Sequence, residues 1–271
     1  MKLRIEKQMT RIEKRFAQLR SEGRKAFIPY ITAGDPSLEV TERLVLALDK
    51  AGADIIEPGV PFSDPIADGP VIQRATDRGL NAGVTLNKVL ELAKSIRRKS
   101  EIPLLLFSYY NPLLNHGLEK LAKDAADAGF DGVLASDLTV EESGAFVRAM
   151  QGAGLNTVFL VAPTSSPERM KKIAVVSTGF LYAVSRTGVT GEQQQLAGDL
   201  KDFLKALRDC TKSPIAVGFG ISQPEHVRAV WQEADGVIVG SSIVKEVENH
   251  IGKPDLVERV AAFAGWLKGS Q

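Results

Sequence analysis

Two rhythms of apolar residues alternate along this chain. Near the start, Ile5, Met9, Ile12, Phe16 and Leu19 recur at spacings of three and four among charged residues, which predicts an amphipathic helix over Met1–Glu22. Gly23 can cap it, and the continuous apolar run Phe27-Ile28-Pro29-Tyr30-Ile31 then reads as a buried strand. From there the pattern repeats. Helical periodicity is expected over 38–51, 85–99, 118–128, 141–153, 167–177, 199–209 and 223–233, with a last amphipathic segment from Leu256 to Leu267. Short apolar runs lie between these helices: Ile55-Ile56, Pro103–Phe107, Gly132–Leu134, Thr157–Val161, Phe180–Val184, Pro214–Val217 and Gly236–Val239.

Apolar strands alternating with helices imply an α/β fold with a parallel sheet covered by helices. Eight strand–helix units suggest a closed (β/α)8 barrel in one domain over 1–271, with an additional N-terminal helix (1–22) covering it. An open doubly wound sheet is the lesser possibility. Ala51-Gly52-Ala53-Asp54, Ala128-Gly129-Phe130-Asp131 and Ala153-Gly154-Leu155-Asn156 stand at equivalent junctions. Each reads as a glycine ending a helix in the left-handed region and a polar residue opening the next strand, a structural device.

In a barrel, chemistry concentrates on the loops that follow the strands. The second of these loops is the densest in candidates. Glu57 follows Ile55-Ile56, and a loop rich in Pro, Gly, Ser and Asp delivers a second carboxylate, Asp68. Two carboxylates, one at a strand end and one on the loop after it, can divide an acid role and a base role. Turn formation by Asp64 and Asp68 and a cation paired with Glu57 is the plainer alternative. A phosphate site is expected at the last two loops: Gly218, Gly220, Gly240 and Ser241 form glycine turns, and a helix starts over Ser241–Val247. Gly191 on the sixth loop is placed to close over it.

Composition changes this picture little. The chain has 271 residues, 44% hydrophobic and 25% charged, as expected of a soluble globular protein. A formal net charge of +1 gives no electrostatic case for nucleic acid or an acidic membrane surface. One cysteine, Cys210, excludes an intramolecular disulfide. No apolar stretch of spanning length occurs and no apolar signal core follows the basic start, so a cytoplasmic location is expected. His116, His226 and His250 lie apart without ligand spacing.

Several motifs together resemble the tryptophan synthase alpha subunit family along nearly the whole chain. They are Pro61-Phe62-Ser63-Asp64-Pro65 through Ala67-Asp68-Gly69-Pro70, Tyr109-Tyr110-Asn111-Pro112, Ser185-Arg186-Thr187-Gly188-Val189-Thr190-Gly191 and Gly218-Phe219-Gly220-Ile221-Ser222. The resemblance implies a TIM barrel that cleaves indole-3-glycerol phosphate to indole and glyceraldehyde 3-phosphate. It also implies an α2β2 complex in which indole passes to a beta subunit. Pyridoxal phosphate belongs to that subunit, and no cofactor or metal is expected in this chain. By the same resemblance the catalytic residues fall on Glu57, Asp68 and Tyr182. The substrate-binding residues fall on Phe27, Tyr109, Leu134, Thr190, Gly191, Gly220, Gly240 and Ser241. Two positions depart from the family pattern: Pro58 follows Glu57 where the family usually has leucine, and Thr139 replaces a proline. Proline removes a ladder N–H and restricts the residue before it.

Other readings lead elsewhere. Asp35, Glu57 and Asp137 are strand-end carboxylates that a metal-dependent sugar-phosphate lyase would gather around a divalent ion. The chain would otherwise serve chiefly as an activating partner with catalysis impaired by Pro58, or as a stand-alone lyase. The sixth strand ends in Ser185-Arg186 and the fifth in Val161, not lysine, which argues against an imine-forming aldolase.

Overall fold

A computed structural model describes residues 9–184, 193–218 and 220–269. The N-terminal helix α1 (Arg11–Ser21) is followed by β1 (Ala26–Thr32), α2 (Leu38–Lys50), β2 (Glu57–Gly59), α3 (Pro70–Asn81), α4 (Leu86–Arg97) and β3 (Leu105–Ser108). Next come α5 (Tyr110–His116), α6 (Leu118–Ala128), β4 (Gly132–Ala135), α7 (Gly144–Gly152), β5 (Asn156–Thr157), β6 (Leu160–Val161), α8 (Pro167–Val176) and β7 (Leu181–Val184). The chain closes with α9 (Gln193–Cys210), β8 (Ile215–Gly218), α10 (Pro224–Glu233), β9 (Gly236–Val239), α11 (Ser241–His250) and α12 (Leu256–Lys268). Among the described residues, no helix is long and apolar enough to cross a membrane.

All strand pairs are parallel, in the order β5-β4-β3-β2-β1-β9-β8-β7-β6. The two ends of that order are one stretch of chain. The single strand expected over Thr157–Val161 is divided: β5 pairs with β4, and β6 pairs with β7. Between them, the Val158 N–H donates to the Val133 carbonyl (3.1 Å) and the Phe159 carbonyl accepts from the Tyr182 N–H (3.2 Å). One segment thus holds both edges, and the sheet closes into the expected eight-position barrel.

The strand period of two sorts the barrel into tiers. Ile28, Ile55, Leu105, Leu134, Val158, Phe180, Ala216 and Ile238, one from each strand position, share a single buried cluster inside the barrel. Two residues further along each strand stand Tyr30, Glu57, Phe107, Ser136, Leu160, Tyr182, Gly218 and Gly240. The intervening residues, such as Phe27, Ile31, Val133, Ala135 and Val217, point outward into the larger cluster between strands and helices.

The base of the barrel is closed by α1, which brings Ile12, Phe16 and Leu19 into the lower cluster. This helix is shorter than the sequence pattern predicts. Thr10 caps it, accepting the Glu13 N–H while the Glu13 carboxylate accepts the Thr10 N–H, so Met9 lies outside it; residues 1–8 lie outside the described residues. The strand-opening polar residues fasten it. Asp54 accepts the Phe27 N–H of the neighbouring strand (2.7 Å) and the Arg15 guanidinium (2.6 Å). Asp131 likewise accepts the Leu104 N–H (3.0 Å) and Arg11 (3.2 Å), and Asn156 accepts the Thr10 hydroxyl (2.5 Å). The glycines before them, Gly52, Gly129 and Gly154, have φ of 94°, 88° and 81°, as helix-ending glycines do.

Two helices were not legible in the apolar pattern: α3, which the second loop runs into, and the seven-residue α5 after β3. Helix α3 carries Gln73, Arg74, Asp77 and Arg78, with Ala75, Thr76 and Gly79 as its buried residues, so its inward face is small rather than strongly hydrophobic.

Replacing Asp54 by alanine strips a buried N–H and Arg15 of their shared acceptor. We expect about 2–4 kcal/mol of lost stability in urea unfolding. A loss under about 1 kcal/mol would show that the helix is held by its apolar face alone.

Candidate active site

The mouth of the barrel holds a cleft of about 270 Å³. Seven of the eight upper-tier residues line it, joined by Ala67, Asp68 and Ile72 from the second loop and α3, and by Gly220 and Ser241. The eighth, Glu57, is sealed. It pairs in register with Tyr30 and opens β2, whereas the sequence places it at the strand's end; Ile56 makes an isolated bridge to Leu104. The rings on the flanking strands, Tyr30 and Phe107, meet edge to face (5.2 Å, 75°). Glu57 is 0% exposed and neither carboxylate oxygen has a hydrogen-bond partner among the described residues. Loss of solvation pushes its pKa up to about 8. Among the described residues, then, no cation neutralises Glu57, contrary to the plainer alternative.

Pro58 lies in the ladder without disturbing this aim. The Ile56 N–H donates to the Pro103 carbonyl (2.9 Å) and the Val60 N–H to the Phe107 carbonyl (2.8 Å). The residue between, Pro58, has no N–H to offer the Leu105 carbonyl. Its restriction of the preceding residue favours the extended backbone that β2 needs. On the other side of β2, Gly59 accepts from Ala33 (2.9 Å) and passes beneath the Tyr30 phenol: a Cβ there would stand 2.2 Å from Tyr30 Oη.

Asp68 is half-buried on the loop above. The Tyr109 hydroxyl donates to its Oδ2 (3.1 Å) and accepts the Ala67 N–H (2.9 Å). Burial raises the Asp68 pKa and the Tyr109 hydrogen bond works against the rise. The loop is fixed from behind by α3: Arg78 makes a two-pronged pair with buried Asp35 (2.6 and 2.9 Å) and reaches Glu248 of α11 (3.1 Å), which Arg74 also clasps. Tyr182 lies across the barrel, its ring filling the space over Gly218, where a Cβ would meet it at 2.4 Å. Burial first, then the Glu57 charge, drives its hydroxyl pKa well up.

Between these two sides, where β8 and β9 end, the backbone is open. Gly220 and Gly240 have no atom within 3.6 Å of an added Cβ, so packing does not demand glycine at either place. Helix α11 begins at Ser241 with no side chain capping its first turn, and the Ser242 hydroxyl ties it to the Ile221 carbonyl (2.6 Å). Free N–H groups at a helix start suit an anion.

Some expected site residues are elsewhere. Phe27 does not line the cleft: strand alternation turns it outward, and Tyr30 occupies the inward place above it. Leu134 is inside the barrel but one tier too low, with Ser136 above it at the cleft. Thr190 and Gly191 lie outside the described residues. Tyr30, Phe107, Ser136 and Leu160 were missed, although counting by two along each strand from Glu57 or Tyr182 in register would have found them. The proposed metal carboxylates are not gathered: Arg78 holds Asp35, and Asp137 accepts the Tyr110 N–H (2.6 Å). Among the described residues, no group of three His, Cys, Asp or Glu side chains has metal-holding geometry.

This closed parallel barrel, with its polar cleft at the C-terminal ends of the strands, defines the chain as a TIM-barrel enzyme. A family match described as "Tryptophan synthase alpha chain" spans residues 16–270. A tryptophan synthase alpha chain of Solibacter usitatus (strain Ellin6076) is 52% identical over 260 residues, covering 96% of this chain and 97% of its own. One of Geotalea daltonii is 49% identical, covering 96% and 98%. The crystal structure of tryptophan synthase subunit alpha from Legionella pneumophila str. Paris superposes with a TM-score of 0.89 at 38% identity, covering 96% of this chain and 98% of that one. This chain belongs to the tryptophan synthase alpha chain family. Its activity is the alpha reaction of tryptophan synthesis, the carbon–carbon lyase cleavage of indole-3-glycerol phosphate; neither the metal-dependent lyase nor the catalytically impaired partner is favoured.

A carboxyl that titrates near 8 when folded and near 4.5 when unfolded binds its proton in the folded state alone between those values. Glu57 therefore leaves stability intact below about pH 4.5 and erodes it as pH climbs to about 8. Substituting Glu57→Gln should flatten that decline and leave the variant more stable than the parent above pH 8, by up to about 5 kcal/mol. Parallel stability–pH curves for the two proteins would refute the sealed, unpaired placement.

Proposed function

We propose that Glu57 and Asp68 divide the acid–base work of this lyase reaction, with Tyr182 facing them across the cleft and the phosphate held at Gly220, Gly240 and Ser241. The observation that carries the reading is the sealed Glu57 carboxyl: with a pKa near 8 it is a neutral acid at physiological pH. Cleavage requires a proton at indole C3, because the ring must lose aromaticity before its side chain can leave. Glu57 supplies that proton. The resulting indolenine is cationic, and Asp68, oriented by the Tyr109 hydroxyl, holds its N–H and balances the charge. The bond between C3 and the glycerol carbon then breaks, and its electron pair restores the aromatic ring. The hydroxyl on that carbon becomes the aldehyde of glyceraldehyde 3-phosphate as its proton passes to the Glu57 carboxylate. Glu57 ends as it began, and no proton is gained or lost.

Backbone N–H groups at the start of α11, backed by the helix dipole, suit the phosphate. Thr190 and Gly191 are assigned by resemblance to the closure over it. Metal and cofactor have no step in this scheme. The partner assigned to this chain is a tryptophan synthase beta subunit, the carrier of pyridoxal phosphate, in a cytoplasmic α2β2 complex. Support comes from a tryptophan synthase of Pyrococcus furiosus described as an a2b2 complex with mutual activation, whose matching chain is 38% identical with a TM-score of 0.84. The second loop, around Pro61–Asp64 with Ile66 85% exposed, and the loops near Asn111 and Asp137 form the matching face.

Glu57→Gln should lower cleavage by at least about 10²-fold while phosphate-ligand binding persists, since each proton-transfer role is worth about 10²–10⁴ in rate. Indole release measured with and without a beta subunit provides the test. Turnover retained in that variant would remove Glu57 from the mechanism.

A further inference from the structure

The Ser136 hydroxyl, in the upper tier of the barrel, is not used by any contact among the described residues. Its Oγ is shut off from solvent yet has no hydrogen-bond partner among the described residues, and buried hydroxyls in native structures are as a rule paired. The residue lines the same cleft as Asp68, Tyr182 and Gly240. Its backbone is fixed, the N–H donating to the Ser108 carbonyl (2.9 Å), and it follows β4, where Leu134 points inward two residues earlier.

Its place in the ring says which end of the substrate it meets. The strand order puts β4 four positions from β9 in either direction around the closed barrel, so Ser136 stands opposite Gly240. If the phosphate lies at Gly240 and Ser241, the aromatic end of the substrate lies toward Ser136. Its neighbours in the tier fit that assignment: Phe107 on β3 and Leu160 on β6 present apolar walls to a ring. A hydroxyl set between those walls would face the carbon edge of an unsubstituted indole and stay unpaired, an arrangement that costs binding.

We propose that Ser136 is a specificity-determining residue for the aromatic end of the substrate, whose hydroxyl lets the cleft take an indole hydroxylated on its carbocycle. The inference rests on the placement of phosphate and indole given under Proposed function. A site that hydrogen-bonds a substrate hydroxyl discriminates by pairing, whereas a purely apolar pocket separates ring analogues by shape alone.

The test runs the lyase reaction backwards, condensing glyceraldehyde 3-phosphate with indole or with each carbocycle-hydroxylated indole, for the full chain and for Ser136→Ala. In the parent, at least one hydroxyindole should be used with kcat/KM within about tenfold of indole. Ser136→Ala should lower kcat/KM for that isomer relative to kcat/KM for indole by about tenfold or more. Because the substitution deletes an unpaired buried hydroxyl, the unfolding midpoint should hold or rise, which separates lost contact from lost fold. Equal effects on indole and hydroxyindole, or a parent that rejects every isomer, would overturn the proposal. A parent that fails to condense indole itself would overturn the functional reading together with the inference.

Discussion

Burying a carboxyl without a partner is among the more expensive things a protein interior does, and Glu57 is such a carboxyl. The barrel supports it from all sides. Beneath it lies a tier of eight apolar side chains that excludes water from below. Beside it the Tyr30 and Phe107 rings close edge to face, and its own strand is held in an extended course through Pro58. Deprived of solvent and of countercharge, the group keeps its proton at neutral pH, which is the state an acid catalyst needs. The chemistry assigned to the site follows from this one desolvation.

The second carboxylate is treated in the opposite way. Asp68 stands on a loop, half-buried, with a phenol donating to it, so its surroundings compensate for charge instead of excluding it. The loop that carries it runs directly into α3, and α3 is locked by Arg74 and Arg78 to Glu248 on α11. The helix whose first turn faces the cleft is therefore mechanically continuous with the loop bearing Asp68. The two ends of a bound substrate would be registered against one rigid pair of helices, which favours the close positioning that proton transfer demands.

The opposite face of the barrel is built to hold α1. Asp54, Asp131 and Asn156 recur where strands begin; the two aspartates each bind a neighbouring strand's N–H, and all three reach α1. One device, repeated, seals the base and fastens the N-terminal helix. Stability is thereby concentrated away from the mouth, where open glycines and unpaired polar groups would otherwise cost the fold most.

The alternation of helical and strand periods in the sequence already dictated eight units and a parallel sheet, because each helix must bury one face and each strand two. It suggested a barrel, and the split of Asn156–Val161 between both edges decided the closure over an open sheet. The helix ends were written in residues such as Gly52 and Gly129, whose backbone no other residue adopts easily. Glu57 and Asp68 were also legible, since ionisable residues beside an apolar run stand out. What the sequence left open was phase. Phe27 and Tyr30 are both aromatic and both buried, and only strand register shows that the first faces helices and the second faces the cleft. Leu134 and Ser136 differ by one tier for the same reason. Helix α3 escaped notice because its buried side is made of Ala75, Thr76 and Gly79 and leaves little hydrophobic signal. The pKa of Glu57 belongs to tertiary structure alone: no local pattern reveals that its carboxyl will be buried with no hydrogen-bond partner among the described residues.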